Sequence, residues 1–313
     1  MPTPRATVRR EGADACPGVR SVWRAADGGL ARVRTPGGRL TPAQLEVLAA
    51  AAEELGSGVL ELTSRANVQV RGLRPQAEHE LGDRLRRIGL LPSDAHDRVR
   101  NILASPLTGL VSDRPDVSPV VTAIDDGLLD DPGLAALPGR FLFAVDDGTG
   151  DVSGLDADVT LIAHGSAYVL LLGGTDVGLR AADPAAAALA AARGFLAERG
   201  AQHSPAWRLA ELDDGPARVA ARIDASLILE RGVETGADPA SKSTLRSCMS
   251  GRMVPPGEYA QTDGRVAVVL EVPDGRLDTA AARALATRSS GELRITPWRS
   301  VVLPNLESTG ATA

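Results

Sequence analysis

The sequence predicts an α+β fold in which two similar halves pair around a central α/β region. Three observations predict it. Residues up to about 92 run strand, helix, strand, strand, helix; the same order returns near the C-terminus; and the stretch between follows another rhythm of strands and helices.

Leu30 to Arg34 reads as the first strand and Pro36-Gly37-Gly38 as a turn. Thr41-Pro42-Ala43-Gln44 then matches a helix start, with Thr41 as N-cap, Pro42 at the first helical position and Gln44 able to close a capping box. Leu45, Leu48, Ala49, Ala52 and Leu55 form its apolar stripe and Gly56 its stop. Two strands follow in LTSRANVQVRGL, Leu62 to Leu73, separated by Ser64-Arg65-Ala66-Asn67. A helix over Gln76 to Ile88, ended by Gly89, closes the unit.

The unit recurs. Gly38-Arg39-Leu40 returns as Gly275-Arg276-Leu277, GVLELTSRANVQVRGL returns as GELRITPWRSVVLPNL, and Val266 to Glu271 matches the first strand. The offset between the copies shrinks by four residues between the two matches, the length of about one helical turn lost from the intervening helix. Repeats of this kind signal duplication. The middle region carries expected strands at Phe141 to Val145, Val159 to Ile162 and Tyr168 to Leu172, and expected helices at Pro184 to Arg199 and Pro216 to Arg231. Gly232 to Ser243 is polar and reads as a linker. The division is 1–92, 93–232, a linker at 233–247, and 248–313.

At 313 residues and 43% hydrophobic content the chain can bury a large core, and with 3% aromatics that core is built from aliphatic side chains. A net charge of -6 argues against general nucleic-acid binding, which needs a basic surface. The apolar run from Val159 to Leu172 is broken by His164, Gly165 and Ser166 and is no membrane span, and the N-terminus has no secretory pattern, so a cytoplasmic location is expected. Lys242 is the only lysine; arginine, with its planar fork, suits carboxylates. Cys16 and Cys248 are too few and too far apart for a disulfide framework or a CxxC metal knuckle. His79, His96, His164 and His203 show no metal-ligand spacing, and DDGTGDVSG (Asp146 to Gly154) reads as a turn and not a dinucleotide loop. With no recognisable nucleophile or metal box, the catalytic residues stay unknown and difficult chemistry requires a cofactor.

Four polar residues stand out. Arg65, Asn67, Gln69 and Arg71 would share one face of the hairpin, opposite an apolar face. Two cations and two amides on one face suit the lining of an anion site. Arg100-Asn101, in RNILASPLTG, falls in what reads as a loop.

LTSRANVQVRGL followed by RNILASPLTG resembles the nitrite/sulfite reductase family, and LPGRFLFAVDDG from Leu137 resembles its next motif. LRITPWRSVVLPNL, from Leu293, is similar to the precorrin-3B synthase branch. The resemblance runs from about Pro17 to Leu306. It implies two ferredoxin-like half-domains pairing around a nitrite/sulfite reductase-type α/β domain, built to hold a tetrapyrrole. It implies that Arg65 and Arg100 contact the macrocycle or a bound anion, and that Arg140 and Leu142 occupy the positions of a lysine pair that serves a small oxyanion in sulfite reductases. The expected ligands of the precorrin carboxylates are Arg65, Arg71, Arg100, Arg140 and Arg299, with Asn67, Gln69 and Asn101 beside them. The implied function is an oxidoreductase of cobalamin biosynthesis, a monooxygenase making an oxygen-dependent hydroxylation and lactone on a precorrin. The alternatives are a siroheme nitrite/sulfite reductase fragment, a non-catalytic tetrapyrrole-binding protein, or half of a split enzyme whose partner chain carries the cysteines; the partner expected besides the tetrapyrrole is an electron donor or such a cluster-bearing chain. The family's 4Fe-4S cluster needs four thiolates. Two cysteines do not supply them, so the cluster domain is expected to be absent from this chain.

Overall fold

The computed structural model describes residues 14–111, 114–231 and 252–307. The fold is α+β, with two five-stranded sheets, one from each end of the sequence, and a six-stranded sheet from the middle of it. The polar stretch read as a linker and Cys248 lie outside the described residues.

The first sheet is built from β1 (Trp23–Ala25), β2 (Gly28–Val33), β4 (Val59–Leu62) and β5 (Val68–Leu73), in the order β1-β2-β5-β4. Between β2 and β4 the chain makes a one-turn helix at Pro36–Gly38, a two-residue strand β3 (Arg39–Leu40), and α1 (Pro42–Leu55). The capping box is present: the Thr41 hydroxyl accepts from the Gln44 amide at 3.1 Å and Gln44 Oε1 accepts from the Thr41 N–H at 2.9 Å. α2 (Ala77–Arg87) closes the unit. The second sheet repeats this with β12 (Gly257–Ala260), β13 (Val266–Glu271), β15 (Leu293–Ile295) and β16 (Ser300–Leu306), in the order β12-β13-β16-β15. Its helix α6 (Thr279–Arg288) has 10 residues against 14 in α1, which is the four-residue deletion.

Each half completes the other's sheet. β3, of the first half, pairs antiparallel with β15 of the second; β14 (Arg276–Asp278), of the second, pairs with β4 of the first. The glycine turns make this exchange possible. Gly37 and Gly38 have φ +64° and +71°, their counterparts Asp274 and Gly275 +55° and +67°, and Gly38 lies against the Ile295 carbonyl. α1 and α6 lie side by side, joined by the Arg283–Glu53 ion pair at 2.6 Å. One apolar core therefore runs through both halves, from Leu48, Leu60 and Val68 to Leu277, Leu285 and Leu303.

The middle sheet runs β11-β10-β9-β8-β7-β6, from β6 (Ile102–Ala104), β7 (Phe143–Asp146), β8 (Val159–His164), β9 (Ala167–Leu172), β10 (Thr175–Ala181) and β11 (Ile228–Arg231). β6, β7 and β8 are parallel and the rest antiparallel. One face packs under α3 (Ser118–Leu129) and α4 (Pro184–Ala201), while Leu103, Leu142 and Ala144 join the core of the two halves. Two expectations are corrected here. The segment read as a loop after Arg100-Asn101 enters β6, a three-residue buried strand too short for a periodic signal. The helix expected to reach Arg231 stops at Arg222 as α5 (Gly215–Arg222): Asp224 accepts from the Ser226 amide at 2.8 Å, and Ile228 then pairs with Ala181.

Candidate functional site

The strand periodicity that buries Ala31, Val33, Val68 and Val70 against the helices turns Arg32, Gln69 and Glu61 to the other face. On that face Arg32 donates to Gln69 Oε1 at 2.8 and 3.3 Å. At its end opens a cleft of about 430 Å³, lined by Ala15, Cys16 and Pro17 from the N-terminal segment, Trp23 and Leu30 from β1 and β2, Arg32, Arg65, and Arg140 and Trp207 from the middle domain.

Arg65 sits in the turn of the first hairpin, where Thr63 Oγ1 accepts from the amides of Arg65 and Asn67 at 3.3 and 3.1 Å and Ala66 takes φ +52°. Its guanidinium donates to the Gly139 carbonyl at 3.2 Å. Arg140 extends over the Trp207 ring, 5.3 Å from its centroid. Arg34 lies behind the lining, 2% exposed, donating to the carbonyls of Pro17 and Arg98, with one terminal nitrogen meeting no partner. None of Arg32, Arg34, Arg65 and Arg140 has a carboxylate within ion-pair distance among the described residues, whereas most arginines elsewhere do. Burial pulls Arg34 down to about 9, with Arg32 adding to the effect, and pulls Arg65 down to about 10, with Arg208 adding to it. Burial likewise lowers Arg32. These shifts have one physical reading: cations held together away from water, where burial outweighs the pull of the more distant carboxylates Asp97 and Asp158. Burial, and then Asp14, push the Cys16 thiol up, so it remains protonated at neutral pH. The arrangement can bind anions; it offers no activated nucleophile.

The structure separates the eight residues singled out from sequence. Arg65 and Arg140 line the cleft, and Gln69 steadies Arg32. Asn67 and Asn101 are buried tethers. Asn67 accepts from the Thr35 amide at 3.0 Å and donates to Asn101 at 3.2 Å, and Asn101 donates on to the Gly139 carbonyl at 3.0 Å. They tie the hairpin to the middle sheet and do not face the cleft. Arg71 is forked onto Asp27, at 2.9 and 3.0 Å, and also reaches Glu61 at 3.0 Å. Arg100 is buried and bidentate on Asp125 at 2.7 and 2.6 Å. Both arginines are already neutralised by carboxylates, and neither lines the cleft. Arg299 belongs to the other half. The turn Thr296–Ser300 repeats the first, with Thr296 Oγ1 accepting from Trp298 and Ser300 amides at 3.2 Å each and Arg299 at φ +62°; Arg299 thus matches Ala66, and Trp298 matches Arg65.

The second half's equivalent face is closed. Val269 and Val302 stand where Arg32 and Gln69 stand in the first, and Leu107, Leu110 and Val111 cover them. Arg294, at the place of Glu61, holds the covering segment through the carbonyls of Pro106 and Thr108 at 3.0 and 2.8 Å. Among the described residues, one of the two related faces is open and the other is covered. Sequence reasoning missed Arg32 and Arg34, although they alternate with Ala31 and Val33 on a strand it had found. It also missed Trp23, Cys16 and Trp207, which reach the cleft from distant segments.

The halves match a known module: residues 24–88 and 259–311 fit the nitrite/sulfite reductase ferredoxin-like half domain. The two outer halves are thus similar to this half-domain. A precorrin-3B synthase from Sinorhizobium sp is 32% identical over 54% of this chain and 37% of its own. A ferredoxin–nitrite reductase from Leptolyngbya laminosa is 33% identical over 44% of this chain and 28% of its own. The chain thus matches about a third of the length of these curated relatives. NirA of Mycobacterium tuberculosis shares the fold, with a TM-score of 0.60 and 21% identity over 96% of this chain and 58% of that one. Among the described residues no cluster of His, Cys, Asp or Glu is placed to hold a metal ion, and the chain's two cysteines are half of what a 4Fe-4S cluster requires. The cluster does not fit this chain's residues alone. No described helix is long and apolar enough to cross a membrane.

Proposed function

We propose that the open half-domain face binds a tetrapyrrole polycarboxylate and that the chain serves a precorrin-3B synthase-like oxidoreductase of cobalamin biosynthesis. The observation that carries the binding is the convergence of Arg32, Arg65 and Arg140 on one cleft, backed by Arg34, with no carboxylate among the described residues within ion-pair distance of them. A ring bearing acetate and propionate groups supplies that counter-charge at several points, and each guanidinium pairs best with a carboxylate. The precorrin-3B synthase relative and the motif around TPWR favour the precorrin branch. Buried Leu142, where a second cation would serve a small oxyanion, weighs against nitrite or sulfite as the substrate. In this reading the hydroxylation and lactone formation need oxygen, iron and electrons, and a cluster-bearing partner chain or electron donor supplies the redox centre. What this chain's residues do is bind and orient: Arg65 and Arg140 hold carboxylates, Arg32 is set by Gln69, and the tethers Asn67 and Asn101 fix the hairpin against Gly139.

The test is an anaerobic absorbance titration with sirohydrochlorin. Wild type binds it saturably with one site, and Arg65→Ala weakens binding by about ten- to a hundredfold, the worth of a charge-assisted contact, while the circular dichroism spectrum is unchanged. Equal affinity of Arg65→Ala and wild type defeats the assignment.

A further inference from the structure

We propose that Trp23 and Trp207 are stacking walls that make this cleft selective for a flat, conjugated polycarboxylate over an aliphatic one. The proposal rests on the tetrapyrrole reading and adds the feature that charge alone does not give. Arginines would accept any polyanion of suitable size; shape selection has to come from something else.

The chain is poor in aromatics, with three tryptophans among 313 residues. Two of the three line the one cleft that also gathers Arg32, Arg65 and Arg140. Trp23 stands on the edge strand β1 opposite Leu30 and is 51% exposed, one of three large exposed hydrophobic residues among those described. An indole this open leaves apolar surface in water that a ligand would cover. Trp207 enters from the middle domain. Its backbone amide donates to Glu211 at 2.8 Å, and Arg140 lies over its ring. The guanidinium, the indole and a conjugated macrocycle are all planar, so Arg140 and Trp207 can meet the same ligand, one at a carboxylate and one at the π-face. The second half-domain supplies the contrast: its equivalent face carries Val269 and Val302 and is sealed by the 107–111 segment. Aromatic walls and arginines that meet no carboxylate among the described residues occur together on the open face.

The experiment compares two probes, uroporphyrin I (flat, eight carboxylates) and tricarballylate (aliphatic, three), on wild type, Trp23→Leu, Trp207→Leu and Trp207→Phe. Uroporphyrin binding is followed by absorbance and tricarballylate by calorimetry. Each Trp→Leu change is expected to weaken uroporphyrin by about three- to tenfold and to leave tricarballylate within about twofold; Trp207→Phe keeps most of the uroporphyrin affinity. Uroporphyrin unaffected by the Trp→Leu changes, or both probes weakened in parallel, overturns the stacking role while leaving the tetrapyrrole reading intact. Wild type that binds tricarballylate but not uroporphyrin overturns the tetrapyrrole reading and the stacking proposal together. Trp23 is exposed, so Trp23→Leu decides the matter even if Trp207→Leu fails to fold.

Discussion

A buried charge destabilises the folded state unless it is compensated, and this protein buries charges of both signs. On the cationic side the imbalance lies at the cleft, where a ligand can correct it. On the anionic side it lies in the Asp146–Asp151 loop, whose charges are answered from within the chain. Asp146 is fully buried and accepts from the amides of Gly148, Gly150, Val152 and Ser153 at 2.8 to 3.2 Å. Asp151 is held by the Ser105 hydroxyl at 2.7 Å, and burial, with Asp146 next in weight, raises it from 3.8 to about 7. Its folded form therefore holds a proton that the unfolded chain has released between those two values. Unfolding in that range releases a proton, so stability falls as pH rises from about 4 to 7. Asp151→Asn, which keeps the acceptor for Ser105 and cannot ionise, removes this slope. Urea unfolding at pH 5 and pH 8 should show wild type losing roughly 2–3 kcal/mol relative to the variant across that interval; parallel losses in both proteins would contradict the shift. Legibility at this scale followed distance along the chain. Arg65 and Arg140 could be found because each lies in a local motif. Arg100 could not be set aside, because its neutralising Asp125 lies in α3, 25 residues on, and nothing nearby marks the pair. Arg71 is the same case, with Asp27 across the sheet edge.

At the scale of the elements, the exchanged strands β3 and β14 decide most. The GRL repeat that marks them was visible in the sequence, and so were the helices and hairpins on both sides. What could not be read was that each short strand crosses to the other half's sheet, since two or three residues carry no periodicity and pairing across halves is a tertiary matter. Both turns need positive φ, but their surroundings differ. A Cβ on Gly38 would run into the backbone carbonyl of Ile295, which is fixed in the ladder; a Cβ on Gly275 meets chiefly the Arg299 side chain, at 2.7 Å, and the Leu62 carbonyl only at 3.2 Å. Gly38→Ala should therefore cost about 2–4 kcal/mol, strain plus a displaced strand, and Gly275→Ala about 1–2 kcal/mol, mainly backbone strain. Denaturant midpoints of the two variants check the order. Equal losses would mean that the Ile295 backbone gives way as easily as a side chain.

At the scale of the whole molecule, the exchange makes the half-domains one cooperative object. Neither sheet is complete without a strand from the other half, and the core from Leu48 to Leu303 has no boundary between them. Separate domains joined by a linker would instead melt independently. The tryptophans make the distinction measurable, because Trp23 lies in the first half, Trp207 in the middle domain and Trp298 in the second half. With the other two replaced by Phe, a protein keeping only Trp23 and another keeping only Trp298 report the halves one at a time. Their urea transitions should coincide in midpoint and slope. The Trp207 reporter is free to differ, since the second apolar cluster, under α3 and α4, belongs to the middle domain alone. Separate transitions for Trp23 and Trp298 would mean that the strand exchange holds the halves together without coupling their stability. Coincidence carries a consequence for the cleft. Its floor is in the first half, so a ligand there would raise the unfolding midpoint of both halves together, including the one whose own face is closed.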